Sequence, residues 1–191
     1  MIKYGVTGGI SSGKSLFINY LKEKKERVLC ADEIYHDLLL NNKEMLNSIK
    51  KNFTETVFTE NKIDRKKLSA IVFNNPKKLK LLNKTTHPFV LNEMNKLISI
   101  INNKRIFISV PLLFEIKMEK YFDKIINIFT YKKNQLKWLR KRNGFTIKES
   151  LKRINSQISI YDKSKKSNFV LKNIKTKKYF YKQIDKLLKQ L

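Results

Sequence analysis

The run Gly8-Gly9-Ile10-Ser11-Ser12-Gly13-Lys14-Ser15 constrains this chain more than any other feature. It reads G-x-x-x-x-G-K-S and stands between an apolar run over 2–6, suited to a buried strand, and the segment 16–22, suited to an amphipathic helix. Strand, glycine loop and helix in that order make a phosphate-binding loop. The glycines let successive backbone N–H groups turn toward one anion, and the helix N-terminus adds its partial positive charge. Lys14 is placed to reach β- and γ-phosphates, and the Ser15 hydroxyl to ligate Mg²⁺. The chain has five glycines, and four of them are Gly5, Gly8, Gly9 and Gly13. In so glycine-poor a sequence, such clustering marks backbone that needs positive φ or close approach to a ligand. The stretch predicts a nucleoside triphosphate site.

Strands and helices alternate around this loop. Strands are predicted over 26–31, 105–110, 124–130 and 168–172. Helices are predicted over 33–40, 43–53, 64–73, 134–142, 147–157 and 175–191, with 54–61 an irregular connection. Asp32 has the chemistry to cap the helix over 33–40, and Asn41-Asn42 to end it with a left-handed residue. Asn74-Asn75-Pro76 marks a turn, and Pro76 suits the first turn of the next helix. That helix is expected to stop before His87-Pro88, because the residue preceding proline is pushed out of the α region, with a further helix over 89–101. The alternation predicts an α/β fold with a parallel five-stranded sheet flanked by helices. Four or five helices between the second and third strands exceed a simple crossover. They are read as an inserted helical substrate-binding region (33–103) within one domain spanning 1–191.

Composition narrows the class. Hydrophobic residues make up 41% of the chain, which suits a globular protein, and no apolar run reaches the roughly 20 residues that span a bilayer. Neither a membrane nor a secreted location is therefore expected, and the single Cys30 fits a reducing cytoplasm. Cys30 is explained as a small apolar residue in a strand. With two histidines and one cysteine, a zinc site is not predicted. The formal charge of +26 would attract nucleic acid non-specifically, but it is mostly lysine spread along the chain. Together with abundant asparagine, isoleucine and phenylalanine, that is the pattern of an AT-biased coding sequence. No specific nucleic-acid partner is inferred from it; the field favours the gathering of polyphosphate ligands.

In open α/β sheets ligands collect beyond the carboxyl ends of the strands. Three features are expected there: the glycine loop, Asp32 after the second strand, and Pro111 to Glu115 after the third. Asp32 is the candidate general base for a hydroxyl facing the γ-phosphate; phosphoryl transfer rests mainly on positioning and charge stabilisation, so an ordinary carboxylate suffices. Arg140, Arg142 and Arg153 flank Asn143-Gly144, as suits a mobile lid over 138–160 that grips phosphate with planar guanidinium groups. His36 lies four residues after Asp32, on the same helix face. Its roles are orienting that carboxylate, touching substrate, or simple solvation. His87 is structural or at the substrate's edge.

With these residues in view the chain resembles the dephospho-CoA kinase family. The resemblance is carried by Thr7 to Ser15, Ala31-Asp32, Arg65 with Leu68, Phe73 with Pro76, His87-Pro88, Val110 to Glu115, Arg142 with Gly144, Arg153 with Gln157, and Val170 to Asn173. Departures are Cys30 in place of a first aspartate, Trp138 in place of a lid arginine, Ser167-Asn168 before the last strand, and Asn42, Thr54 and Asn61 at family glycines. The resemblance implies a P-loop kinase fold with a lid, and ATP-dependent phosphorylation of the ribose 3′-hydroxyl of dephospho-CoA. It implies Asp32 and Lys14 as catalytic residues. ATP would be held by Ser11, Ser12, Gly13, Lys14, Ser15, Leu16, Arg140 and Arg142, Mg²⁺ by Ser15, and the acceptor by Arg65, His87 and Glu115. Two rivals share part of the pattern: another P-loop kinase for a nucleoside or nucleotide, and a basic ATP-dependent nucleic-acid-binding protein. The first leaves His87-Pro88 and Val110 to Glu115 without a reason. Against the second stand the short chain and the lack of a strand ending in a Walker-B aspartate.

Overall fold

The computed structural model describes residues 1–53, 57–59, 62–73 and 75–191. In chain order the strands are β1 (Ile2–Gly8), β2 (Val28–Cys30), β3 (Phe58–Thr59), β4 (Lys62–Ile63), β5 (Arg105–Ser109), β6 (Lys124–Phe129) and β7 (Phe169–Lys172). The helices are α1 (Lys14–Glu23), α2 (Ala31–Asn41), α3 (Lys43–Phe53), α4 (Arg65–Phe73), α5 (Pro76–Ser99), α6 (Lys132–Asn143), α7 (Ile147–Asn155), α8 (Ile160–Lys165) and α9 (Lys177–Gln190). The chain divides into two compact units, one of Met1–Leu29 with Asn103–Leu191 and one of Cys30–Asn102.

The first unit is built on the expected five-stranded sheet, in the order β2-β5-β1-β6-β7. β1 pairs in parallel with β5 and with β6, and β6 with β7. Strands covered on both faces need apolar residues without alternation, which is why 105–110 reads as a continuous run. On one face Tyr4, Val6, Phe107, Ile126, Ile128 and Leu171 are buried against Phe17, Ile18 and Leu21 of α1 and Phe180, Ile184 and Leu187 of α9. On the other, Gly5 lets Leu113 and Phe122 close directly onto β1; a Cβ there would stand 2.8 Å from each. Asn127 of β6, fully buried, donates from Nδ2 to Ser164 Oγ of α8 at 2.8 Å.

The segment after β5 is fixed by a buried ion pair. Lys163 of α8 has no exposed surface; its Nζ donates to the Pro111 carbonyl at 3.0 Å and pairs with Glu115 Oε1 at 2.8 Å. The same Oε1 accepts from Ile158 N at 3.0 Å, and Thr7 Oγ1 donates to the Pro111 carbonyl at 3.0 Å. Burial pushes the Lys163 pKa down, and the bond and charge of Glu115 pull it back up.

The second unit holds four helices among the described residues, and α5 packs against α2, α3 and α4. Its core includes Ile34, Leu38 and Leu39 of α2, Met45 and Ile49 of α3, Leu68 and Val72 of α4, and Leu82 and Met94 of α5. α3 takes the expected bounds. Asn75 caps α5 by accepting from Lys77 N and Lys78 N, and Pro76 opens it.

Four local expectations are corrected. The helix expected to stop before His87-Pro88 runs through as the single α5 of 24 residues. Proline removes one N–H from the helix, yet the packing of Leu82, Thr86 and Met94 on both sides of it holds the axis together. Thr85 Oγ1 and Thr86 Oγ1 donate to the carbonyls of Leu81 and Leu82, each at 2.9 Å, one turn back. Asp32 does not cap α2: the cap position is Cys30, in extended conformation, and Asp32 lies inside the first turn. Its charge there still favours the positive helix end. Asn42 ends α2 without a left-handed turn; it is extended (φ −93°), and its Oδ1 accepts from Met45 N at 2.8 Å, capping α3. The stretch expected as an irregular connection over 54–61 includes strand β3, which pairs antiparallel with β4 just beyond it. Thr54, Asn61 and Asn74 lie outside the described residues.

Removing one partner of a buried ion pair strands the other charge, so Lys163→Met should destabilise the protein by about 3–5 kcal/mol. Lys163→Met combined with Glu115→Leu should recover part of that loss. Urea denaturation of the two variants checks this, and a double variant no better than the single would separate the two charges energetically.

Candidate active site

β1 delivers the chain to Gly8 and α1 begins at Lys14, so the five residues between them must turn sharply. Ser12 N donates to Gly9 O at 3.1 Å, and Ser11 and Gly13 take positive φ of 55° and 97°. Gly13 occupies the cap position of α1 and offers no side chain, so no cap bond is made. The N–H groups of a helix's first turn have no partner within the helix, and here they point out of an uncapped end. Lys14 Nζ donates to Ser109 Oγ, at the end of β5, at 3.0 Å. Ser15 is exposed, Leu16 packs on the sheet core, and the hydroxyls of Ser11 and Ser12 are buried without partners.

Groups of the loop that face the protein are held by three side-chain amides. Gln157 Oε1 accepts from Ile10 N at 2.9 Å, Gln135 Nε2 donates to Ile10 O at 2.8 Å, and Asn173 Nδ2 donates to Ser12 O at 3.0 Å. Asn173 is fixed in turn by Thr130 Oγ1, which donates to its carbonyl at 2.7 Å. The loop after β1 is thus tied to segments that follow β6 and β7, at the carboxyl edge of the sheet where ligands collect.

Asp32 belongs to the second unit, where it lines a cavity of 730 Å³ with Tyr35, His36, Leu39, Arg65, Leu68, Ser69, Val72 and Leu82. Its lining is mixed, with Asp32, His36, Arg65 and Ser69 polar and Leu39, Leu68, Val72 and Leu82 apolar. Asp32 and His36 are one turn apart on α2, and Arg65 Nη2 stands 3.1 Å from His36 Nε2. A guanidinium has no acceptor, so His36 Nε2 must be the acceptor and the neutral ring carries its proton on Nδ1. That Nδ1 is buried without a partner. Burial pushes the His36 pKa down and the Arg65 charge pushes it further, against a smaller upward pull from Asp32.

The other predicted residues are dispersed. His87 is half-buried in α5, its pKa lowered by burial, and it is not among the described residues lining the cavity. Glu115 is engaged by Lys163 and Ile158 N, with Oε2 buried and unpartnered. Arg140 lines a groove of 510 Å³ on the α6–α7 hairpin with Lys133, Lys137, Lys141 and Phe145. Arg142 is exposed and bonds Asn143 Oδ1 at 2.9 Å, and Arg153 stacks over the Phe145 ring at 4.3 Å. The hairpin turns at Gly144, with left-handed φ of 69°, and α7 opens with a reciprocal cap between Thr146 and Glu149.

Sequence reasoning missed Gln135, Ser109 and Lys163. Lys163 is hidden by the lysine excess, and Gln135 is a single amide in a polar helix. Gln157 and Asn173 carry the resemblance but had no assigned role.

Comparison with known proteins places this arrangement in a family. The dephospho-CoA kinase family model matches residues 2–178. The dephospho-CoA kinase of Carboxydothermus hydrogenoformans is 39% identical over 173 residues, covering 88% of this chain and 84% of that protein. The one from Lactobacillus johnsonii is 34% identical, covering 98% of this chain and 96% of its own length. Among solved structures, a Thermus thermophilus protein superposes with a TM-score of 0.88 at 28% identity, covering 100% of this chain and 97% of that one. Dephospho-CoA kinase from Campylobacter jejuni does so with a TM-score of 0.72 at 32% identity, covering 98% of this chain and 96% of its own. A shikimate kinase from Bacteroides thetaiotaomicron, with a TM-score of 0.53 at 8% identity, shares the fold alone. No described helix is long and apolar enough to cross a membrane. Sequence, fold and loop geometry agree over nearly the whole chain: it belongs to the dephospho-CoA kinase family.

Proposed function

We propose that this enzyme transfers the γ-phosphoryl group of ATP to the ribose 3′-hydroxyl of dephospho-CoA, yielding CoA and ADP. The observation that carries the reading is the glycine loop at the uncapped end of α1, in a chain that matches the family over 2–178. The loop N–H groups and Lys14 hold the β- and γ-phosphates. Mg²⁺ fits here as a hard cation bound mainly by phosphate oxygens, with the exposed Ser15 hydroxyl as its protein ligand; no described cluster of three or more His, Cys, Asp or Glu offers a cage of its own. When bound, the ion would supply charge neutralisation for the phosphoryl group being transferred.

Dephospho-CoA is long, part anionic and part apolar, and the cavity in the second unit offers both kinds of lining. Arg65, buttressed by His36, binds acceptor phosphate; Leu39, Leu68 and Val72 face the apolar part. Asp32 takes the proton of the 3′-hydroxyl as its oxygen bonds to the γ-phosphorus and the bond to the ADP oxygen breaks. The α6–α7 hairpin, carrying Arg140 and Arg142, closes over the nucleotide. His87 and Glu115 act at the acceptor's margin, Glu115 through the unpartnered Oε2.

Asp32→Asn should retain ATP binding and lower turnover at least about a hundredfold, within the range of general-base catalysis. Turnover near wild type would reduce Asp32 to a helix-end charge. Lys14→Ala should abolish ATP-dependent phosphorylation of dephospho-CoA; retained activity would remove the lysine from the mechanism. A third outcome concerns pH. Above the ordinary histidine value near 6.5, His36 is neutral and accepts from Arg65. Its lowered pKa keeps it so somewhat below that value, and further acidification sets two cations face to face. The KM for dephospho-CoA should therefore rise as pH falls from 7 to 5, while in His36→Gln it stays flat. An equal rise in the variant would take His36 out of acceptor binding.

A further inference from the structure

Gly9 is not one of the glycines with positive φ, so its backbone does not demand glycine. A Cβ on Gly9 would instead meet Gln135 Nε2 at 2.4 Å, with the Gln135 Cδ and Ile160 Cδ1 next at 3.4 Å. Gln135 is 3% exposed, and its amide is the donor to Ile10 O. It comes from the first turns of α6, whereas Gln157, which accepts from Ile10 N, lies two residues past the end of α7. Both stems of the α6–α7 hairpin therefore grip one residue of the phosphate loop, one by its carbonyl and one by its N–H.

From this geometry we infer that Gln135 and Gln157 are positioning residues that hold the loop ready for phosphate through Ile10, and that Gly9 is glycine to admit the Gln135 amide. The inference rests on the loop being the ATP site. Held at Ile10, the peptide groups on either side cannot rotate, and the N–H groups at the start of α1 keep their aim. Released, the loop samples other conformations, and ATP must select the competent one, with a matching loss of apparent affinity. Alanine at position 9 would displace the Gln135 amide from Ile10 O, so it breaks the bond that Gln135→Ala removes.

The test measures ATP binding by calorimetry for wild type, Gly9→Ala, Gln135→Ala and the double variant, with KM for dephospho-CoA and melting temperature alongside. Leaving a part-buried carbonyl unpaired corresponds to about a 5- to 150-fold weaker ATP Kd. Each single variant should show a loss of that size, the double variant should be no worse than the poorer single, and KM for dephospho-CoA should be unchanged. Gln157→Ala should weaken ATP in the same way. Gln135→Glu, which sets an oxygen against the Ile10 carbonyl, should be weaker still. If Gln135→Ala does not fold, Gln135→Met keeps the volume without the donor and is read in its place. Fold-losses that multiply in the double variant would overturn the inference, as would single variants that bind ATP like wild type. A wild-type protein that does not bind ATP would instead overturn the reading of the loop.

Discussion

A phosphate cradle imposes a contradiction on the chain that forms it. Backbone polar groups buried in a loop must be satisfied, and yet those aimed at the ligand must not be satisfied by the protein. Here the two sets are separated by direction. Carbonyls of Ile10 and Ser12 and the N–H of Ile10, which face the protein, are taken by Gln135, Asn173 and Gln157. The first-turn N–H groups of α1 face outward from an end with no capping side chain. This solution needs partners from positions 135, 157 and 173 at one place, which a parallel sheet provides because every strand ends on the same edge. The β1 position at the centre of the sheet, with β5 and β6 on either side, is what gives the loop access to all of them.

The stretch Pro111 to Glu115 shows the same logic with charge. Its resemblance to the family suggested contact with substrate, and its residues are indeed near the end of β5. The observed bonds are inward ones: Pro111 O accepts from Thr7 and Lys163, and Glu115 Oε1 from Lys163 and Ile158. A carboxylate with one oxygen so engaged and the other unpartnered is held still, which suits either a rigid support or a fixed acceptor for a substrate donor. The ion pair gains its fixity from burial, since desolvation makes each charge depend on the other.

Features written in local pattern were legible in the sequence. The glycine loop, the apolar strands at 105–110 and 124–130, and the 3.6-residue periodicity of α3 and α9 each declare themselves within a dozen residues. Features set by tertiary packing were not. Pro88 argues for a helix end by every local rule, and α5 ignores it because burial of Leu82 and Met94 on either side favours one axis. The cap of α2 slid from Asp32 to Cys30 because β2 runs directly into the helix and leaves no loop for a separate cap. Helix α8 is six residues long, too short to show a period, and Ser159 starts it by accepting from Asp162 N. Lys14 was legible because a phosphate loop needs that residue type at that place, and Asp32, expected as the general base, lines the cavity of the second unit. Gln135 was not legible, since its importance lies in the distance to Ile10 and not in its own neighbours.

The neutrality of the three loop-gripping side chains is itself informative. The chain carries 42 lysines and arginines, so a cation at position 135 would have been the statistically ready donor to Ile10 O. It would have bonded that carbonyl more strongly. It would also have been a charge at a site only 3% exposed, with desolvation to overcome and no carboxylate bonded there. Set behind the loop, it would draw phosphate charge away from the N–H groups in front. A carboxylate at position 157 would accept from Ile10 N equally well but would repel the ligand. Amides supply either polarity of hydrogen bond without a net field, so the geometry of the loop is fixed by groups that leave its electrostatics to Lys14 and the helix end. Shape and charge are thereby assigned to different residues, and each can be altered without the other.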